Sequence, residues 1–315
     1  MHCIAPPRPV SRLDSTRSLS LLLLALSLIL TATVLAQPAG VRHVLVIGCD
    51  GLGALSFTGS NAPVMTRLMH GGAFTLRARA VIPTSSSPNW ASMINGAGPE
   101  QHGITSNEWM PDHFDIAPTF TNRWGYFPTI FSVLREQRPV AFQAVVHDWQ
   151  DFGRLVEPGV TDLKEWVKGS IATADRAAQV LRERQPTFTF VHFDDVDHTG
   201  HGLGWRSPQY FKTVDLVDGL IGDLLRVVDE TPMRNHTLVL VTADHGGVGT
   251  KHGGVSADEL FIPWIIHGPG VAAGHELKTV VNTYDTAATL AWVFGLRRPD
   301  VWIGRPVLEA FSPTP

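Results

Sequence analysis

Cysteine is nearly absent from this chain: 315 residues include two, Cys3 and Cys49. Charge is also sparse, at 17% of residues, and slightly acidic, with 25 Lys and Arg against 29 Asp and Glu for a formal net charge of −4. The first shortage removes a disulfide framework as the source of stability, and the second removes a basic surface able to wrap nucleic acid. Apolar residues make up 44% of the chain, which excludes a disordered protein and allows one large domain or two small ones. Against two cysteines stand 14 histidines, so a metal held here would be held by imidazole and carboxylate.

Arg8, Arg12 and Arg17 precede an apolar run over residues 19–35, which closes with Val34-Leu35-Ala36. A basic flank, an apolar centre and small residues before Gln37 form the pattern of a secretory signal peptide cleaved after Ala36. A membrane anchor left uncleaved is the alternative, because the run is nearly long enough to span a bilayer. Cleavage removes three Arg, one Asp and Cys3, leaving 22 basic and 28 acidic residues, a net charge of −6, and Cys49 as a small buried residue. Residues 37–315 are then expected to form one exported catalytic domain, periplasmic or secreted, supported by its core and bound metal.

Short apolar runs at 41–49, 140–146, 187–193, 237–242 and 262–266 read as buried strands. Helical spacing is clearest over 208–229, where Tyr210, Val214, Val217, Ile221, Leu224 and Val228 share a face. Further helices are expected at 63–69, 88–95, 128–136, 171–184 and 284–294. The alternation predicts an α/β fold with a mostly parallel central sheet and helices on both faces. Ligands of such sheets collect at the carboxyl ends of the strands. Asp50, the segment 194–201 and Asp244-His245 all follow predicted strands.

Asp197 and His201 stand four apart with Gly200 between them, a spacing that lets a carboxylate and an imidazole face one cation. Asp244-His245-Gly246-Gly247 and Lys251-His252-Gly253-Gly254 place further metal-competent side chains in bendable loops. Each motif alone is an ordinary turn or a surface histidine. Taken together with Asp50 they provide three carboxylates and three imidazoles, which suit two zinc ions, each with an open position. Pro83-Thr84-Ser85-Ser86-Ser87-Pro88-Asn89-Trp90 sets hydroxyls ahead of a proline that opens a helix. Such a helix start favours an alkoxide nucleophile or a bound phosphate, although a serine-rich loop capped by Ser87 has the same sequence.

The ordered set G-C-D-G-L-G (48–53), P-T-S-S-S-P-N-W-A-S-M (83–93), P-E-Q-H-G-I (99–104), D-H-T-G-H (197–201), A-D-H-G-G (243–247) and K-H-G-G (251–254) resembles the alkaline phosphatase superfamily. Within it, the type I phosphodiesterase/nucleotide pyrophosphatase branch is the nearest match, over about residues 41–270. The resemblance implies that Asp50, Asp244 and His245 hold one zinc together with the nucleophile, and that Asp197, His201 and His252 hold the other. It selects Ser86 as nucleophile over Thr84, Ser85 and Ser87, and implies that Asn89 donates to a phosphoryl oxygen. A phospho-serine intermediate and a small-molecule phosphate ester substrate follow from the same resemblance.

The chain departs from that branch in two places, with Ser86 where nucleotide-cleaving members usually carry Thr and Trp90 where they carry His. Phosphomonoesterase relatives grip phosphate with an Arg, and no Arg adjoins Ser86, which favours diesters. A phosphomonoesterase or phosphonate hydrolase with the same six ligands is the alternative. The sulfatase signature S-x-P-x-R is broken at Trp90, which ranks a sulfatase lower, with a non-catalytic binding protein lower still. Residues 106–128 are expected to form a small cap, with Trp109, Phe114, Phe120, Trp124, Tyr126 and Phe127 either stacking on a substrate or packing beneath a lid. A cap so small implies an open site. His102 reads as structural, Asp194 and Asp195 read as solvated turn residues, with partners that orient His201 or His245 as the alternative, and His192 has no assignable partner.

Overall fold

The computed structural model describes residues 37–312; the expected signal segment, 1–36, lies outside them. Its centre is a sheet of eight strands. They are β1 (His43–Cys49), β2 (Ala73–Arg79), β3 (Gln143–His147), β4 (Leu163–Trp166), β5 (Phe188–Phe193), β6 (Thr237–Thr242), β7 (Phe261–His267) and β8 (His275–Glu276), in the spatial order β4-β3-β5-β1-β6-β7-β2-β8. The helices of eight residues or more are α1 (Pro63–Gly71), α2 (Ser86–Asn95), α3 (Ile130–Gln137), α4 (Ser170–Arg184), α5 (Asp195–Leu203), α6 (Pro208–Asp229) and α7 (Asp285–Val293).

The continuous apolar runs become the inner strands. Every residue of β5 and β6 is buried, as is all of β1 after His43, because helices cover both faces of a parallel sheet. β1 pairs in parallel with β5 on one side and β6 on the other, with Val44 opposite Phe188 and Leu238. The helical face predicted on α6 is buried as expected at Tyr210, Val214, Val217, Ile221, Leu224 and Val228. Ser207 caps that helix by accepting from the Tyr210 N–H. Ala62 at the start of α1 offers no side-chain cap. Instead, buried Asp218 of α6 accepts from the N–H groups of Val64 and Met65 at 2.9 and 2.8 Å.

Three strands were not expected from the sequence: β2, β4 and the two-residue β8. β2 alternates apolar and polar residues, and β4 is four residues at the sheet edge, so neither presents the continuous run that marks the inner strands. A further difference is α5: no helix was expected there, and Asp197 and His201 project from it one turn apart. Gly200 is there for space, since a Cβ would lie 2.6 Å from the Trp205 ring.

β7 runs antiparallel to both β6 and β2. The connection from β6 to β7 therefore leaves and returns at one edge of the sheet, and β2 ends at that same edge, with Arg79 opposite Phe261. Among the described residues, no helix is long and apolar enough to cross a membrane. The expected cap, 106–128, contains no helix or strand beyond an isolated bridge between Met110 and His113.

Candidate active site

Four chain segments meet at the edge shared by β1, β5, β6 and β2. Asp50 follows β1; Asp197 and His201 lie on α5, directly after β5; Asp244, His245 and His252 lie between β6 and β7; Ser86 opens α2. Asp50, Asp244 and His245 place ligand atoms within 4.8 Å of one another, as do Asp197, His245 and His252. His201, an exposed side chain, brings Nε2 to 3.4 Å from Asp197 Oδ2. The structure thus brings together all six residues of the sequence-derived set.

Two of the three carboxylates, Asp50 and Asp244, are held by one oxygen. Asp50 Oδ2 accepts from Trp90 Nε1 at 2.8 Å and from His192 Nε2 at 3.1 Å. Asp244 Oδ1 accepts from the N–H groups of Gly51 and His245 at 3.0 and 2.9 Å. Asp50 Oδ1, Asp244 Oδ2 and Asp197 Oδ1 are buried and have no hydrogen-bond partner. Gly51 allows this closeness: its φ of +71° is open to glycine, and a Cβ would lie 2.7 Å from Asp197 Cα.

The histidines are oriented by their other nitrogen. Nδ1 of His201, His245 and His252 faces the carbonyls of Thr250, Gly246 and Thr84 respectively. A carbonyl only accepts, so each Nδ1 carries a proton and Nε2 is the nitrogen left to face the cluster. His245 Nε2 lies 3.2 Å from Asp244 Oδ2 and 3.6 Å from Asp50 Oδ1, and His252 Nε2 lies 3.8 Å from Asp197 Oδ1.

The charges of this cluster do not balance within the protein. Burial, reinforced by repulsion from Asp50, pushes Asp197 up to about 9 and Asp244 well above the carboxylate range. Burial also opposes charge on Asp50, but the His192 hydrogen bond and nearby His245 outweigh it and hold that carboxyl below its ordinary value. Burial pushes His245 down to about 3 and lowers His252, so imidazolium does not supply the missing positive charge. Three unpartnered carboxylate oxygens beside the Nε2 atoms of three histidines fit metal cations.

Ser86 is the first residue of α2 and is buried, with Oγ 3.4 Å from His245 Nε2. Ser85 is the N-cap residue, and the Ser87 hydroxyl is buried without a partner. Asn89 does not face the cluster as expected. Its Nδ2 donates to the carbonyls of Val81, Pro83 and Ser85, and its Oδ1 accepts from the Val81 N–H at 2.6 Å. That amide is spent on shaping the turn ahead of α2.

Sequence reasoning passed over several residues that build the site. Half-buried Asn107 accepts the Ser87 N–H on Oδ1 at 2.8 Å, and its carbonyl accepts from the Arg154 guanidinium. Its position 21 residues after Ser86 gives no local signal of that contact. His192 and Trp90 anchor Asp50, and only the pairing of β5 with β1 makes the first contact visible, since Gly48 lies opposite His192. Asp194 is not a solvated turn residue: it shares a 4.8 Å cluster with Asp50 and Asp197, and burial followed by repulsion from Asp50 raises it to about 7. His102 is structural as read, with Nε2 2.9 Å from the Ser92 hydroxyl. Of the six cap aromatics, Trp109 and Phe127 are buried, Trp124 and Tyr126 pack on the core, and Phe114 and Phe120 are exposed.

Known proteins share this architecture. The chain is 25% identical over 227 residues to human ectonucleotide pyrophosphatase/phosphodiesterase family member 1, covering 66% of this chain and 24% of that protein. It is 28% identical over 290 residues to GPI ethanolamine phosphate transferase 1 of Emericella nidulans, covering 80% and 30% respectively. It thus spans less than a third of the length of these curated relatives. Murine ectonucleotide pyrophosphatase/phosphodiesterase 5, solved in complex with AMP, superposes with a TM-score of 0.71 at 15% identity, over 86% of this chain and all of that one. A 2-O GAG sulfatase gives 0.67 at 16% identity, over 86% of this chain and 74% of that one. The eight-stranded, mostly parallel sheet is thus the alkaline phosphatase-like fold. A model of the family described as type I phosphodiesterase/nucleotide pyrophosphatase matches residues 44–267, and the chain belongs to that family within the alkaline phosphatase superfamily.

Proposed function

We propose that this chain is an exported two-zinc hydrolase of phosphate esters, acting on phosphodiester or nucleotide pyrophosphate-type substrates through a phospho-Ser86 intermediate. The observation that carries the reading is the 3.4 Å approach of Ser86 Oγ to His245 Nε2 beside three buried, unpartnered carboxylate oxygens. Asp50, Asp244 and His245 would hold one ion with Ser86, and Asp197, His201 and His252 the other. When bound, the two ions would polarise the Ser86 hydroxyl and offset charge on the phosphoryl oxygens.

The remaining chemistry belongs to the chain's own residues. Ser86 stands at the start of α2, where the helix dipole favours negative charge on the reacting oxygens. Its Oγ attacks phosphorus, loses its proton to solvent and displaces the leaving alcohol; water then cleaves the Ser86 phosphoester and restores the hydroxyl. Asn107 takes the role expected of Asn89. With Oδ1 held by Ser87, its Nδ2 has no protein acceptor among the described residues and is available to a phosphoryl oxygen. Residues 1–36 serve export in this reading, and the domain comprises 37–315.

Turnover of bis-p-nitrophenyl phosphate, p-nitrophenyl phosphate and p-nitrophenyl sulfate, with zinc content measured on the same protein, tests the proposal. The expected order places the diester first and the sulfate last, with about two zinc per chain. A faster monoester identifies a phosphomonoesterase, and a folded chain that binds no zinc overturns the mechanism.

A further inference from the structure

We propose that Thr84 is a positioning residue that aims His252 at the cation cluster and couples this ligand to the nucleophile's segment; the proposal rests on the two-ion reading above. Thr84 is fully buried and makes three hydrogen bonds to three consecutive residues. Its carbonyl accepts the His252 Nδ1–H at 2.8 Å, its Oγ1 accepts the Gly253 N–H at 3.0 Å, and its hydroxyl donates to the Gly254 carbonyl at 2.8 Å. Gly253 has φ +108°, a conformation that side chains other than glycine rarely adopt, and its N–H is the one Thr84 receives.

The contact differs in kind from those of the other two histidines. His245 is oriented by the carbonyl of Gly246, its own neighbour, and His201 by Thr250 of the β6–β7 connection. His252 alone is oriented by the segment that carries Ser86, two residues from the nucleophile. The remaining anchors at this point are internal to the connection: Glu259 accepts from the N–H groups of Gly254 and Ser256. The Thr84 hydroxyl therefore fixes the height of residues 253–254 relative to α2. This height keeps the Thr84 carbonyl on Nδ1 and aims Nε2 at the unpartnered Asp197 Oδ1, 3.8 Å away. A support of this type, holding a metal-ligating histidine by its second nitrogen, is typically worth about 10–100-fold in metal affinity.

The test is zinc affinity by competition with a chromogenic chelator, for the full chain and for Thr84→Val, which keeps the shape and removes the hydroxyl. The wild-type chain is expected to give two binding steps. In Thr84→Val one step should weaken by about 10–100-fold and the other remain, while Thr84→Ser restores both. In a His252→Ala background, Thr84→Val should cause no further loss at the weakened step. Two wild-type steps that persist unchanged in Thr84→Val overturn the inference alone; a wild-type chain that binds no zinc overturns the two-ion reading with it. Should Thr84→Val not fold, Thr84→Ala serves in the same comparison, and equal weakening of both steps there also refutes the assignment.

Discussion

Trp90 donates its indole N–H to Asp50 Oδ2 at 2.8 Å, one helical turn after Ser86 on α2. The same oxygen takes the His192 hydrogen bond, which leaves Oδ1 as the face of Asp50 that meets the cluster. The indole is buried edge-on against Phe152, Phe190 and His192, and the absence of a side chain at Gly48 makes room for it. The helix that presents Ser86 thus also anchors Asp50. Trp90→Phe keeps an aromatic ring and removes the donor; zinc affinity of one site should fall about tenfold, as measured by chelator competition, with the fold intact by circular dichroism.

Asn89 and Asn107 should separate cleanly. Asn89→Ala removes a side chain that bonds four backbone groups and should lower stability by roughly 2–4 kcal/mol. Asn107→Ala removes the acceptor of one buried N–H, that of Ser87, which should cost about 1–2 kcal/mol, and should reduce turnover of a diester per folded molecule by about 10²-fold. Equal turnover per folded molecule in Asn107→Ala and wild type would return the phosphoryl contact to another group.

Glu309 predicts an acid limb of stability. Partial burial opposes its charge, but hydrogen bonds from the Thr279 side chain, the N–H groups of Lys278 and Thr279, and His275 outweigh it and hold Glu309 at about 2 against an ordinary 4.5. As pH falls, the unfolded chain takes up this proton first, so the stabilisation is complete above about 4.5 and fades toward about 2. Thermal melts of wild type and Glu309→Gln should differ most near neutral pH and converge as pH drops through that window. A gap that stays constant with pH would refute the linkage.

Asp218 acts as a remote cap for α1 by accepting from the N–H groups of Val64 and Met65. Asp218→Ala leaves both donors buried without a partner, and urea unfolding should report a loss of about 2–3 kcal/mol. Turnover per folded molecule should not change, because α1 supplies none of the site residues.

The six residues of the cluster were legible because the segments that carry them follow strands whose continuous apolar runs mark them as buried, and because short motifs flank them. β2 was not, since its alternating pattern lacks such a run, and with it went the route by which residues 80–85 reach the site. The choice between Asn89 and Asn107 depends on which way an amide turns, a matter of contacts between a helix start and a loop distant in sequence. His192, Trp90 and Asp194 were missed for a related reason. Their partner is Asp50, more than 100 residues from His192 and Asp194 and reached only when β1 pairs with β5.

The reversed direction of β7 has an engineering consequence. A crossover to a parallel strand must span the sheet, so its length is tied to the layer above it. The chain from Asp244 to Leu260 carries no such obligation, since both its ends sit at one edge. Residues added at exposed Val248 or Gly249 would leave Asp244, His245 and the strand register fixed, and the Thr250 carbonyl on His201 is the contact such an insertion must preserve. Substrate preference in this scaffold can therefore be varied by loop length at a point beside the chemistry, without disturbing the sheet.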